Sequence, residues 1–120
     1  MAAVSESTET RQTIDRFNEA FNRHDVDAVM ALMTDDVIFE NTSPQPDGTR
    51  YVGQDPVRRF WAEFFANSPS AHFEAEDVVA CGDRAVVTWI YSWGSGHVRG
   101  IDLFRVRDGK VAEKFSYVKG

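Results

Sequence analysis

The chain has 120 residues, a net charge of −6 and a hydrophobic content of 42%. A single domain of this length buries about two-thirds of the surface its unfolded chain exposes, which excludes a disordered or fibrous chain. The acidic balance argues against nucleic acid or an anionic membrane as the main partner, since both demand a basic face.

Residues 1–8 are polar and acidic and read as a flexible tail ahead of one domain spanning 9–120. No positive stretch followed by an apolar run marks a secretory leader. No apolar segment approaches the length of a bilayer span. Cys81 is the sole cysteine, so no internal disulfide is available. Together these features predict a cytoplasmic setting.

In "RQTIDRFNEAFNRHD", Ile14, Phe17, Ala20 and Phe21 share one face of an amphipathic helix. Asp25 is suited to cap a short second helix carrying Val26, Val29, Met30 and Met33. "DDVIFEN" reads as a strand, "TSPQPDG" as loop, and "TRYV" as a short strand. In "GQDPVRRFWAEFFANSP", Asp55 is placed to cap a third helix, with Pro56 at its first position and Pro69 beyond its end. Val57, Phe60, Trp61, Phe64 and Phe65 make its apolar stripe.

Four strand-like runs follow, at 71–80, 84–93, 97–107 and 110–118, separated by "CGDR", "WGSG" and "RDGK" as hairpin turns. The order α-α-β-β-α-β-β-β-β predicts an α+β domain in which a strongly curved antiparallel sheet packs on three helices.

One residue breaks the pattern. Gly100, Asp102, Phe104 and Val106 form one face of the strand "RGIDLFRVR", and Asp102 is a carboxylate on an otherwise apolar face. An even-length "WGSG" loop pairs Gly100 with Trp89 and Asp102 with Val87, so Val87, Trp89 and Tyr91 share that face. The "RDGK" turn is ambiguous. A two-residue loop puts Phe115 opposite Asp102. A three-residue loop, which Arg-Asp-Gly favours, puts Lys114 there and Ser116 opposite Gly100. A carboxylate among aromatics is either a desolvated acid poised for proton transfer or one half of a structural ion pair with Lys114.

"FNRHDVDAVMALMTDDVIFEN", "GQDPVRRFWAEFF" and "VRGIDLFRVRDGKVAE", in this order, resemble the nuclear transport factor 2-like superfamily. Within it they are most similar to the SnoaL-like polyketide cyclase and ketosteroid isomerase-like branch. The resemblance implies a cone-shaped barrel: a bent sheet closed by three helices, with an apolar pocket in its mouth. It also implies cofactor-independent proton transfer next to a carbonyl, in cyclisation or isomerisation. In the isomerases an acid follows an Ile in this late strand, and Asp102 in "GIDLFRV" holds that position.

Two other isomerase positions differ. Asn41 stands where a general-base Asp is expected, and Phe17 where an oxyanion-hole Tyr is expected, so a classical steroid isomerase is not implied. The limonene epoxide hydrolases are also similar, and "FEN" partly matches them through Asn41. Ser116, Ile90 and Ser92 stand where their charged Asp–Arg–Asp set falls.

The resemblance makes Asp102 and Asn41 the expected catalytic pair, with Asn41 alternatively an Asx-turn residue at a strand end. Phe17, Phe21, Phe39, Trp61, Phe65, Trp89, Tyr91, Lys114 and Ser116 are the expected substrate-binding set. Trp61 and Tyr91 also suit plain core and sheet roles.

His24, His72 and His97 lack ligand spacing, so no metal is expected; no cofactor is expected either. His24 is expected at the C-terminal end of the first helix. Cys81 has no nucleophile context. Three roles are weighed: a small-molecule enzyme, a non-catalytic binder of a small apolar ligand, and a protein-binding module. A homodimer through the outer sheet face is expected, because Val86, Thr88, Ile90, Ile101 and Leu103 make that face apolar.

Overall fold

A computed structural model describes residues 5–120. Its elements are α1 (Glu6–Asn22), α2 (Val26–Ala31), β1 (Met33–Glu40), β2 (Arg50–Val52), α3 (Gln54–Asn67), β3 (His72–Cys81), β4 (Arg84–Ser92), β5 (His97–Arg107) and β6 (Lys110–Val118). The order and the helix and strand types are those read from the sequence.

Three boundaries differ, each for a local reason. The tail expected over 1–8 is helical from Glu6; residues 1–4 lie outside the described region. The Ser5 hydroxyl accepts from the Thr8 amide at 3.1 Å, and Glu6 and Glu9 stand at the positive end of the helix. Tertiary bonds pin this turn: Ser7 Oγ accepts from the Gly82 amide and Thr10 Oγ1 donates to the Gly82 carbonyl.

Met33, expected on α2, opens β1 and pairs with Val111. Asp55 does not cap α3. The cap is Gly53, at φ +89, and Asp55 and Pro56 lie inside the first turn, where amides have no intrahelical partner and proline costs nothing. The Gln54 side chain fastens this end by donating to the carbonyls of Met33 and Thr34 at 3.0 and 3.1 Å.

The six strands form one strongly curved sheet in the order β2-β1-β6-β5-β4-β3. It is mixed rather than wholly antiparallel, because β1 runs parallel to β6. Turn residues reveal only hairpin neighbours. A pair separated by some seventy residues carries no such mark, and a parallel pair needs the long crossover that β2, α3 and β3–β5 supply. Breaks in register within β1, β3 and the β5–β6 ladder add local bend and twist.

The helices cover the concave face. Ile14 and Phe17 of α1, Val57 of α3, and Val37, Val87, Phe104 and Val111 of the sheet are fully buried between them. On the convex face Ile101 and Tyr117 are 37% and 55% exposed. No helix of the described residues is long and apolar enough to cross a membrane.

Candidate functional site

The alternation of β5 sends Asp102 and Phe104 to the concave face and Ile101 and Leu103 to the convex one. The "WGSG" connection is a four-residue loop, Trp93–Gly96, and it gives the expected register: Gly100 opposite Trp89 and Asp102 opposite Val87.

The "RDGK" turn takes the two-residue length rather than the favoured three-residue one, and the register beyond it differs from both alternatives. Arg107 pairs with Lys110 across a two-residue loop, and Asp108 and Gly109 both take positive φ. A bulge at Ala112 then shifts the ladder by one. Ser116 therefore stands opposite Asp102, and Lys114 opposite Phe104. The expected face is right, since Lys114 and Ser116 share it with Asp102, but the pairing is displaced by two residues. The turn dipeptide favoured one loop length, and the bulge beyond it had no sequence mark.

Lys114 reaches Asp102 diagonally. Its Nζ lies 3.3 Å from Asp102 Oδ2 and donates to Ser116 Oγ at 2.9 Å. Both residues are buried, Asp102 at 2% exposure and Lys114 at 6%. The ammonium sits over the rings of Phe39, Trp61 and Phe104 at 5.0, 5.3 and 5.9 Å from their centroids. Burial among these rings pushes the Lys114 amine below its ordinary value, and the facing Asp102 carboxylate opposes part of the fall. Asp102 Oδ1 has no hydrogen-bond partner, nor do the indole nitrogens of Trp61 and Trp89.

This group forms part of the wall of a cavity of about 770 Å³ at the open end of the fold. Its aromatic wall comes from Phe21, Phe39, Trp61, Trp89 and Tyr91 of the expected set, together with Tyr51, Phe60, Phe64, Phe73 and Trp93. Asp102, Lys114, Ser116 and Asn41 also line it. Among the described residues of this wall, Asp102 and Lys114 carry the charge.

Two expected binding residues do not reach the cavity. Phe17 packs edge-on against Phe104 at 5.7 Å in the core beneath the acid. Phe65 is held against Phe21 and against His24, whose ring stacks on it at 4.8 Å. His24 lies just past the C-cap of α1, where its Nε2 is 3.2 Å from the Ala71 carbonyl.

Asn41 lines the cavity, but its side-chain oxygen accepts from the amides of Ser43 and Thr49 at 3.2 and 2.8 Å. It closes the loop as an Asx residue, and only its NH₂ is left for a ligand.

Tyr51, Phe60, Phe64, Phe73 and Trp93 are aromatic wall residues outside the expected set. Phe60 and Phe64 belong to the helical stripe of α3, but periodicity does not separate stripe members that meet the sheet from those that roof a cavity. Among the described residues no cluster of three His, Cys, Asp or Glu side chains is placed to hold a metal.

The description "SnoaL-like domain" fits residues 14–114. The chain belongs to the SnoaL-like family. It is 37% identical to a nuclear transport factor 2-like protein of unknown function from Mesorhizobium loti, with 99% of this chain and 98% of that one covered and a TM-score of 0.86. A putative ketosteroid isomerase from Kribbella flavida is 21% identical, with coverage of 98% and 83% and a TM-score of 0.85. A putative polyketide cyclase from Sinorhizobium meliloti is 21% identical, with coverage of 88% and 94% and a TM-score of 0.76. At such identities the last two establish the shared fold alone. No curated protein matches the chain. This SnoaL-like domain thus combines a well-matched scaffold with a buried acid–amine pair as the charged centre of its cavity.

Proposed function

We propose that the protein binds a small, largely apolar carbonyl compound in this cavity and moves a proton next to the carbonyl without a cofactor, with Asp102 as the acid–base group. The observation that carries this reading is Asp102 Oδ1, a buried carboxylate oxygen without a partner in an aromatic wall. Native structures rarely leave such an atom unsatisfied, and a bound donor group would complete it. Asn41 contributes its NH₂ to substrate orientation. A single acid–base group contributes a rate factor of about 10²–10⁴. We test the reading with 1-indanone in D₂O, following the loss of its α-proton NMR signal. Exchange that needs the folded protein and disappears in Asp102→Asn supports it; exchange that survives in that variant ends it.

A second reading, a non-catalytic ligand carrier, is favoured by the 3.3 Å pairing of Asp102 with Lys114 and by the commitment of the Asn41 oxygen to its loop. It predicts ligand retention with no α-proton exchange. In either reading the protein works as a homodimer through the convex face, in a cytoplasmic setting; a light-scattering mass of one chain removes the dimer.

A further inference from the structure

The acid–base reading leaves Lys114 unexplained. An ammonium is costly to bury, and an ion pair of this kind stabilises little over an apolar replacement. The pair has a second protonation state. Moving one proton from Nζ across the 3.3 Å contact to Asp102 gives a neutral amine and a neutral carboxylic acid, an exchange that leaves the net charge of the pair unchanged. A desolvated lysine amine beside a proton donor is a recognised arrangement for attack on a carbonyl.

We propose that Lys114 captures an aldehyde or unhindered ketone as an imine, with Asp102 carrying the protons; this rests on the reading of the cavity as a carbonyl-binding site. The amine nitrogen bonds to the carbonyl carbon as the C=O π bond opens. The proton lost from nitrogen and the one held by Asp102 leave with the carbonyl oxygen as water. The product is a protonated imine on Lys114 facing the Asp102 carboxylate. Starting from the ammonium–carboxylate pair, one carbonyl compound is consumed and one water is released. The charge at Lys114 is the same before and after, so the ion pair that holds the amine also holds the adduct. Two features fit this step: Lys114 and Asp102 both line the cavity, and the rings of Phe39 and Trp61 beside Nζ suit a flat, conjugated cation as well as an ammonium. A protonated imine also acidifies the neighbouring C–H, so a lone carboxylate can act as base on a substrate held there.

The test uses 2-naphthaldehyde with sodium cyanoborohydride at pH 7 on the intact protein, followed by peptide mapping. The other lysines, Lys110 and Lys119, are exposed and serve as internal controls. A lowered pKa raises the neutral, nucleophilic fraction of an amine. We expect the reduced adduct to form faster on Lys114 than on Lys110, and slower Lys114 labelling in Asp102→Asn with Lys110 unchanged. Binding without reaction is read separately, with 2-naphthylmethanol quenching the tryptophan emission. Quenching with labelling confined to Lys110 and Lys119 overturns the imine and leaves the cavity reading standing. Neither quenching nor Lys114 labelling overturns both.

Discussion

The indole of Trp89 on β4 lies across Gly100 on β5: a Cβ built on Gly100 would stand 2.4 Å from Trp89 Cζ2 and 2.4 Å from the Tyr117 carbonyl. The glycine is the space the ring fills, and the ring in turn forms the cavity wall beside Asp102. Gly100→Ala therefore overpacks this point and is expected to cost about 1–3 kcal/mol. Urea unfolding gives the loss, and the near-ultraviolet dichroism of the tryptophans reports the displaced ring. An alanine variant with native stability and spectrum would show that Trp89 has another place to go.

Asp102 and Lys114 should fail the test of additivity. Removing either partner leaves the other charged and buried, at a cost of about 3–5 kcal/mol, whereas removing both leaves an apolar site. We expect Asp102→Leu and Lys114→Met each to destabilise strongly, and the double variant to be more stable than either single one. Losses that simply add would mean that the two side chains do not share one electrostatic site.

Stability should rise with pH on the alkaline side. Lys114 has a pKa below its ordinary value of 10.5, with desolvation the first cause. Between the lowered value and 10.5 the unfolded chain holds more protons than the folded one, so the free energy of unfolding grows as pH increases through that window. The penalty for charging Lys114 is in full force below the window. The other titratable groups in the cavity wall are Asp102, Tyr51 and Tyr91. Lys114→Arg keeps a fixed charge there and removes the slope. Urea midpoints of the two proteins from pH 7 to 10 should diverge; parallel curves would refute the prediction.

The loop that frames the cavity mouth depends on Asn41. Its side-chain oxygen holds the Ser43 and Thr49 amides, and Gly48 passes so close that a Cβ there would meet the Asn41 carbonyl. Asn41→Ala should cost about 1–3 kcal/mol as those amides lose their acceptor. Hydrogen exchange at Thr49 should accelerate while exchange in β5 stays slow. Unchanged protection at Thr49 would mean the loop is held by other bonds.

The element order and the face of Asp102 were legible in the sequence, because each depends on short-range patterning. Apolar residues at three and four spacings mark α1 and α3, glycine-rich turns mark the hairpins, and strand alternation assigns Asp102 to the side of Trp89. The coexistence of aromatics and a carboxylate on one face was legible for the same reason, whereas the face of Lys114 depended on the turn length and on the bulge beyond it.

What the tertiary structure alone decided depends on contacts distant in sequence or on a one-residue irregularity. The parallel β1–β6 pair joins segments with no shared turn. The two-residue turn and the bulge at Ala112 together place Lys114 opposite Phe104 rather than Asp102, and the long lysine chain then closes the 3.3 Å gap diagonally. Phe17 and Phe65 belong to the same helical stripes as Phe21 and Trp61, yet they are core rather than wall. Periodicity tells which side of a helix is apolar, but only the packing of helix on sheet determines where that apolar side is filled and where it is left open.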